Sequence, residues 1–159
     1  MMKVEYDKDH NGVYQTLIVS INKTASNIFN YLSTTEGIQQ WFPQLEICER
    51  KKDGKMLFHL DGEEYKEMYI TDFEHNKEIG YSWDLGQVKF ELNQDEATTE
   101  LIFKEFLPYE FPHIGLDFAG WQFQMEKLKA LIENNEKLAQ QPADFDYKKV
   151  KIEKILHLK

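Results

Sequence analysis

The sequence has one cysteine, one arginine and no long apolar run, and each shortage excludes a class of protein. Cys48 has no partner for an internal disulfide, which is typical of proteins in the reducing cytoplasm. The first residues, MMKVEYDKDHNG, contain no apolar signal-peptide core. No apolar stretch approaches the roughly 20 residues that span a bilayer. We therefore expect a cytoplasmic protein without a membrane partner.

Positive charge is also scarce: 19 Lys and Arg stand against 28 Asp and Glu, for a formal net charge of −9. Nucleic-acid surfaces need clustered Lys and Arg to neutralise phosphates, so this excess of acid argues against a nucleic-acid partner. Arg50 is the only arginine, which is a weak basis for a bidentate phosphate or carboxylate clamp.

Catalytic and metal-binding motifs are absent from the sequence. The five histidines, His10, His59, His75, His113 and His157, are scattered, and they form no HExxH motif and no His/Cys cluster. There is no phosphate-binding glycine loop and no G-x-S-x-G nucleophile motif. The sequence thus predicts no metal, no cofactor and no catalytic residue.

The chain has 159 residues, 14% of them aromatic, which is enough for one domain with a sizeable core. Residues 13–21 alternate apolar and polar side chains and predict a half-buried strand. Two short helices follow: Thr24 or Ser26 caps the first, and an S-x-x-E capping box starts the second. The second helix ends near Trp41, because Pro43 disfavours its continuation.

The middle of the chain carries repeated turn signals and little helical periodicity, which predicts a meander of antiparallel strands. Six strand segments follow one another, at residues 45–51, 55–60, 64–74, 77–85, 87–92 and 97–107. Apolar residues then recur at spacings of three and four over 115–138, which predicts a long helix that covers one face of the sheet. The fold class is therefore α+β, with about seven strands.

The end of the chain is rich in Lys and follows a Gln-Gln-Pro-Ala break that ends the long helix near residue 140. We assign residues 1–138 to the folded domain and residues 139–159 to a basic extension. The apolar residues of this extension predict that it is ordered, either docked on the acidic domain or paired with a second subunit. Residues 147–152 also fit an added edge strand. We expect a monomer or a dimer.

Large aromatic side chains spread over the corner, the sheet and the long helix. If they meet between the sheet and the helix, they form an apolar binding cavity or a filled core, and the sequence leaves both open. The candidate ligand-binding residues are Trp41, Phe42, Phe58, Tyr69, Tyr81, Trp83, Phe103, Phe118, Trp121 and Met125. Trp41 and Phe42 are expected at the open end of this space, and Trp83 and Trp121 are both expected to line it.

Glu67 and His59 are ambiguous polar positions. Glu67 shares strand parity with Tyr65 and Tyr69, so it is a buried acid if that face points inward. It is a solvated carboxylate if Met68 points inward instead. His59 lies between two apolar residues and has the same ambiguity.

The order of these elements resembles the helix-grip fold of the START-like (SRPBCC) superfamily. Within it, the chain resembles the bacterial family of homologues of the activator of heat shock protein 90 ATPase. The resemblance is carried by residues 28–42 with their Gln-Trp-Phe ending, by 79–84 with its Trp, by 98–101 (TTEL) and by 120–121 (GW). It implies a curved antiparallel sheet with two short helices and a long C-terminal helix packed across it.

The resemblance and the aromatic set together predict non-enzymatic binding of a small hydrophobic or lipid-like ligand between sheet and helix. Two alternatives stay open. One is a protein-interaction module that regulates a chaperone or binds another protein, which the family name implies. The other is an enzyme that acts on an aromatic substrate in the same cavity, with Glu67, His59 or Tyr81 as the acid or base.

Overall fold

The computed structural model describes residues 2–139 and 142–158. This part of the chain forms eight strands and four helices. The strands are β1 (Lys3–Lys8), β2 (Gly12–Ile21), β3 (Leu45–Ile47), β4 (Lys55–His59), β5 (Tyr65–Glu74), β6 (Glu78–Trp83), β7 (Gly86–Asp95) and β8 (Thr98–Pro108). The helices are α1 (Ala25–Ser33), α2 (Thr35–Ile38), α3 (Ile114–Asn134) and α4 (Pro142–Ile155).

All eight strands belong to one curved antiparallel sheet, in the order β1-β2-β8-β7-β6-β5-β4-β3. Strands β3 to β8 form the meander that the turn signals predict. Strand β8 then pairs with β2 along its full length, from Gly12 opposite Pro108 to Ile21 opposite Thr99. The predicted α+β class and helix-grip order are confirmed.

Strand β1 is the eighth strand, where the sequence predicts about seven. Its sequence, KVEYDK, has four charged residues that are exposed, and only Val4 and Tyr6 are part-buried against the core. Edge strands commonly carry such charges because they discourage pairing with another chain. The same charges obscure the apolar alternation from which a strand is predicted.

Helices α1 and α2 form the corner that carries Trp41 and Phe42. The Thr24 hydroxyl caps α1, as one of the two predicted alternatives. Helix α2 is capped by Thr34, whereas the S-x-x-E pattern predicts Ser33. The buried Ser33 oxygen accepts from the Arg50 guanidinium instead, at 2.8 and 3.2 Å, so Ser33 does not act as the cap.

Helix α3 lays an apolar face on the sheet and buries Phe118, Trp121 and Met125 almost completely. The helix ends at Asn134, earlier than the predicted end at residue 138. Asn135 adopts a left-handed conformation with φ 51°, and its N–H donates back to carbonyl oxygens of the last turn. Asn tolerates this conformation better than most residues, so it ends the helix there.

Helix α4 occupies a segment for which the sequence also allows an edge strand. It packs against α3, and Ile152 and the following Leu156 are buried in a cluster with Ile114 and Phe118. Lys8 Nζ donates to the Leu156 carbonyl oxygen at 2.8 Å. Residues 142–158 therefore lie against the body of the same chain.

Gly115 sets the distance between α3 and α4. A Cβ at this position would meet Glu153 Cγ at 2.9 Å and the Lys149 carbonyl oxygen at 3.0 Å. We expect Gly115→Ala to displace α4 and to lower the free energy of unfolding by about 1–3 kcal/mol, the usual range for overpacking. Amide hydrogen exchange should accelerate first in α4. Gly120→Ala on the same helix is the control, and equal exchange in both variants would contradict this close packing.

Candidate functional site

Trp121 of α3 lies at the centre of an aromatic cluster between the helix and the sheet. Its ring centroid is 4.6 Å from that of Phe103, 5.0 Å from Trp83, 5.5 Å from Phe42 and 6.0 Å from Phe90. These are the distances of aromatic rings in contact. At this depth the space between sheet and helix is therefore a packed core.

The packing opens at the rim, where β4, β5 and β6 face the start of α3. A groove of 290 Å³ lies there. Its wall includes Phe58, Leu60, Trp83, Phe111 and Asp117, and we call it the rim groove. With Met68, half of the ten lining residues are apolar, and the other half are polar or charged: Lys66, Glu67, Ser82, Asp84 and Asp117.

A smaller pocket adjoins the rim groove and has a volume of 140 Å³. It is lined by Phe42, Trp83, Asp117, Gly120, Trp121 and Gln124, and we call it the glycine pocket. Trp83 and Asp117 line both recesses, and the Trp83 indole N–H donates to Asp117 Oδ2 at 2.8 Å. This hydrogen-bonded pair is a wall that the two recesses share.

A chain of buried polar side chains runs from Asp117 into the protein. The carboxyl groups of Asp117 and Glu105 are coupled: Glu105 Oε2 and Asp117 Oδ1 are buried with no donor from the other described residues, so a proton held by one carboxyl group supplies their hydrogen bond. Gln15 Nε2 donates to Glu105 Oε1 at 3.2 Å. Gln122 Nε2 donates to Gln15 Oε1 at 2.9 Å and to the Tyr6 hydroxyl at 2.6 Å. Gln15 and Glu105 are at most 2% exposed, so the centre of this chain is shielded from solvent.

The two carboxyl groups share one proton. Burial raises the pKa of Glu105 well above its ordinary value, and the negative charge of Asp117 raises it further. Burial also raises the pKa of Asp117, which the hydrogen bonds from Glu105 and Trp83 partly oppose. Glu105 therefore holds the proton and donates it to Asp117. One negative charge stays at the shared wall.

The family model for activator of Hsp90 ATPase homolog 1-like proteins matches residues 22–133. This chain belongs to that family. The matched region contains every residue that lines the rim groove and the glycine pocket. No functionally curated protein matches the sequence significantly.

Solved structures extend the similarity of this chain beyond the matched region. EF2215 from Enterococcus faecalis, a conserved protein of unknown function, is 29% identical over 99% of this chain and 92% of its own, with a TM-score of 0.87. CalU16 from Micromonospora echinospora is 12% identical over 99% of both chains, with a TM-score of 0.76. The Aha1 dimer from Colwellia psychrerythraea is 16% identical over 76% of this chain and 96% of its own, with a TM-score of 0.64. The last two similarities show the fold alone.

Most of the site residues predicted from the sequence meet in or against the main core of the protein. These are Trp41, Phe42, Phe58, Tyr81, Trp83, Phe103, Trp121 and Met125. Phe118 is buried in the second cluster instead, with its ring parallel to that of Tyr6. Of the corner pair, Trp41 is fully buried and Phe42 lines the glycine pocket. Trp83 and Trp121 both line the sheet-to-helix space, as predicted, whereas the role of these residues in ligand binding stays a prediction.

Tyr69 lies outside the sheet-to-helix space and is 50% exposed. Strand β5 turns Met68 and Ile70 inward, so Tyr69 and Glu67 point outward. The Tyr69 hydroxyl donates to Glu67 Oε2 at 2.9 Å, and Glu67 Oε1 lies 4.0 Å from Lys55 Nζ. The prediction that Tyr69 lines this space is wrong, because the inward residues of β5 are Met68 and Ile70, and Tyr69 lies on the opposite face of the strand.

The three acid or base candidates of the enzyme alternative are not brought together. His59 Nε2 lies near the surface, 2.8 Å from Glu46 Oε1, and Glu67 is exposed at the rim groove, which it lines. Tyr81 is fully buried, and burial raises its pKa, with the nearby Glu105 carboxyl adding to the rise. Residues 2–139 and 142–158 contain no group of three His, Cys, Asp or Glu side chains that could hold a metal ion. The helices in the described part of the chain include none that is long and apolar enough to cross a bilayer.

We do not predict the members of this buried polar network from the sequence, which are Gln15, Glu105, Asp117 and Gln122. Their positions in the strands and in the helix nevertheless indicate that they are buried. Gln15 and Glu105 occupy inward positions and are flanked by apolar inward residues, Val13 and Leu17 in β2 and Phe103 and Leu107 in β8. Asp117 precedes Trp121 by one helical turn and shares its face. A polar residue at a core position of a strand or helix indicates a buried network.

Proposed function

We propose that this protein binds a small, largely apolar molecule in the rim groove and the glycine pocket. The observation that carries the proposal is that two recesses with aromatic walls share one wall, at Trp83 and Asp117. Ligand sites are typically concave and mostly apolar, with a few polar groups that fix orientation. The ligand would extend the aromatic core at its rim.

The charge at Asp117 narrows the class of ligand. It favours a neutral or cationic polar group and disfavours the carboxylate of a fatty acid, because like charges repel strongly in a poorly solvated site. Among hydrophobic and lipid-like ligands, we therefore favour those without an acidic head group. We place this binding in the cytoplasm, in line with the free and exposed thiol of Cys48.

A thermal-shift screen with neutral apolar compounds tests the proposal. A ligand at a hundred times its Kd adds about 2.7 kcal/mol to the free energy of unfolding, so at least one compound should raise Tm clearly. We expect Phe111→Ala, in the wall of the rim groove, to weaken that shift. Tyr147→Ala removes an exposed aromatic ring on α4, away from the groove, and should retain it. The proposal fails if no neutral compound stabilises the protein or if both variants respond alike.

A protein-interaction role is the second candidate. Leu60, Leu85 and Leu116 are 39%, 57% and 41% exposed, and they lie in or next to the segments that line the rim groove. Exposed apolar residues in one place favour a docking surface, and the family description suggests an Hsp90-type chaperone as the partner. Leu85→Ser should weaken such a complex and leave the ligand-induced rise in Tm unchanged. A complex that Leu85→Ser leaves unweakened would exclude this surface, and no complex with the wild-type protein would remove this candidate.

A further inference from the structure

Helix α4 exposes apolar side chains on the face that points away from the protein. Tyr147 and Val150, at 71% and 60%, are the two most exposed large apolar side chains in the described part of the chain, and Ile155 is 48% exposed. The opposite face of the helix carries Ile152 and Leu156, which already bury α4 against the body of the protein. The fold of a single chain therefore does not explain the outward apolar residues.

Four outward residues of α4 form a stripe with a regular spacing. Asp144, Tyr147, Lys151 and Lys154 follow one another at intervals of three, four and three residues, so they lie on one face of the helix. All four are exposed, and Val150 flanks them. We call these four residues the α4 stripe. Its spacing is the one by which two helices contact each other along their length.

The charges of the α4 stripe are separated along the helix. Asp144 lies in the first turn, and Lys151 and Lys154 lie near the end. Lys148 is off the stripe and lies 3.7 Å from Glu126 of α3, whereas the stripe residues form no ion pair within the described part of the chain. The helix dipole favours an acid at the start and a cation at the end, so it explains this order of charges. It does not explain the tyrosine between them.

A second copy of α4 in the antiparallel direction complements every position of the stripe. The spacing is symmetric about the middle of the stripe, so a two-fold axis there repeats each contact twice. Asp144 then lies opposite Lys154 of the second copy. Tyr147 lies opposite Lys151 of the second copy, where its ring packs on the alkyl stem and the ammonium group. The two Val150 side chains lie beside the axis. A parallel pair would instead bring acid against acid and lysine against lysine.

Other charged partners match only part of the stripe. An anionic bilayer attracts Lys151 and Lys154, but Asp144 and the net charge of −9 oppose it. Nucleic acid meets the same opposition. A partner that complements the whole stripe needs both signs of charge in the reverse order, and the same helix of another copy has them.

We infer that two copies of this protein associate through the α4 stripe as an antiparallel two-fold dimer. Helix α4 has 14 residues and is about 21 Å long, so its contact is smaller than the roughly 800 Å² per partner of a standard stable interface. The dimer is therefore weak and reversible. The stripe shares no residue with the rim groove, so this inference does not depend on the proposed function.

Sedimentation equilibrium of the full chain, between about 10 µM and about 1 mM, tests for this weak dimer. We expect the average mass of the wild type to rise from that of a monomer towards that of a dimer. Tyr147→Ala should weaken dimerisation about tenfold, which corresponds to about 1.4 kcal/mol. Tyr69→Ala is the matched control, because Tyr69 is 50% exposed but lies on β5, and it should leave dimerisation unchanged.

Charge reversal tests which residues face each other. Asp144→Lys and Lys154→Glu each place like charges opposite one another, so each should weaken dimerisation about tenfold. The double variant exchanges the two charges and should restore the dimer. A role in the helix dipole alone predicts the reverse, because the double variant opposes the dipole at both ends. Circular dichroism checks that each variant keeps its helix content.

Cysteine cross-linking tests the antiparallel direction without a change of charge. In a Cys48→Ser background, which removes the only native thiol, Val150→Cys and Ile155→Cys are oxidised separately. Antiparallel pairing places the two residues 150 about 3 Å apart along the axis and the two residues 155 about 18 Å apart. Val150→Cys should therefore form a covalent dimer much faster than Ile155→Cys.

Several results would overturn the inference. A wild type that stays monomeric at every concentration would exclude self-association, and a dimer that Tyr147→Ala leaves unchanged would use another surface. Equal cross-linking of Val150→Cys and Ile155→Cys, or no recovery in a folded double variant, would contradict the antiparallel arrangement. Binding of monomeric wild type to phosphatidylserine vesicles, if Tyr147→Ala reduced it, would assign the stripe to a membrane surface instead.

Discussion

Trp41→Ala should lower the free energy of unfolding by about 3–5 kcal/mol, the range for removing a large buried aromatic side chain. The Trp41 ring is fully buried, and its centroid lies 6.0 Å from those of Phe42 and Phe90. Its indole N–H donates to the Tyr31 carbonyl oxygen at 2.8 Å, so the substitution also leaves that acceptor unpaired. Equilibrium urea denaturation measures the loss.

Tyr65→Ala is the control for this experiment. Tyr65 is another large aromatic residue but is 53% exposed, so its removal should change the stability by no more than about 0.5 kcal/mol. Trp41→Phe keeps part of the ring contacts and should give an intermediate loss. Similar losses for Trp41→Ala and Tyr65→Ala would show that the corner is not part of the core.

The free energy of unfolding of the wild type should fall as the pH rises, and Glu105→Gln should remove this fall. Burial raises the pKa of Glu105 well above 4.5 in the folded protein, so above that pH the unfolded chain releases a proton that the folded chain keeps. The folded state then binds one more proton than the unfolded state. The free energy of unfolding of the wild type consequently falls by about 1.4 kcal/mol per pH unit, until the pH reaches the folded pKa of Glu105.

A glutamine at this position mimics the protonated carboxyl group and cannot ionise. Its amide can donate to Asp117 and accept from Gln15, as Glu105 does. Denaturation at pH values between about 4.5 and 8 should show little difference from wild type at the acidic end and a growing advantage of the variant above it. Glu100→Gln, at an exposed position of the same strand, should show no such trend. A difference that stays constant with pH would contradict the protonated Glu105.

The fold was largely predictable because local patterns and tertiary packing agree in most elements. The three-and-four spacing of α3 and the alternation of β8 both match the faces that the structure buries. Helix α4 is different, since its choice between helix and strand depends on the surface it meets. Ile152 and Leu156 are buried against α3, whereas Tyr147 and Val150 are 71% and 60% exposed. The apolar residues of this segment do not by themselves indicate which contact forms.

The residue types of the candidate site were predictable from the sequence, but the shape of its two recesses was not. The sequence indicates that Trp83 and Trp121 lie near each other. Whether their rings touch depends on the separation of sheet and helix, and a change smaller than the width of one ring decides it. Glu105 and Asp117 come from different elements, so only the packing of α3 on β8 joins them. Gly120 is visible in the sequence as part of a Gly-Trp pair, but the empty space beside it is not.

The pairing of β2 with β8 limits the order in which this protein can fold. Strands β3 to β8 each pair with a sequence neighbour, so local hairpins can build the meander. Strands β1 and β2 can pair with each other as a hairpin, but the other edge of β2 pairs with a strand that begins at Thr98, and closing so long a loop costs entropy and slows folding. During synthesis, that edge of β2 therefore stays unpaired until most of the chain has left the ribosome, which leaves the β1–β2 hairpin open to association with other chains.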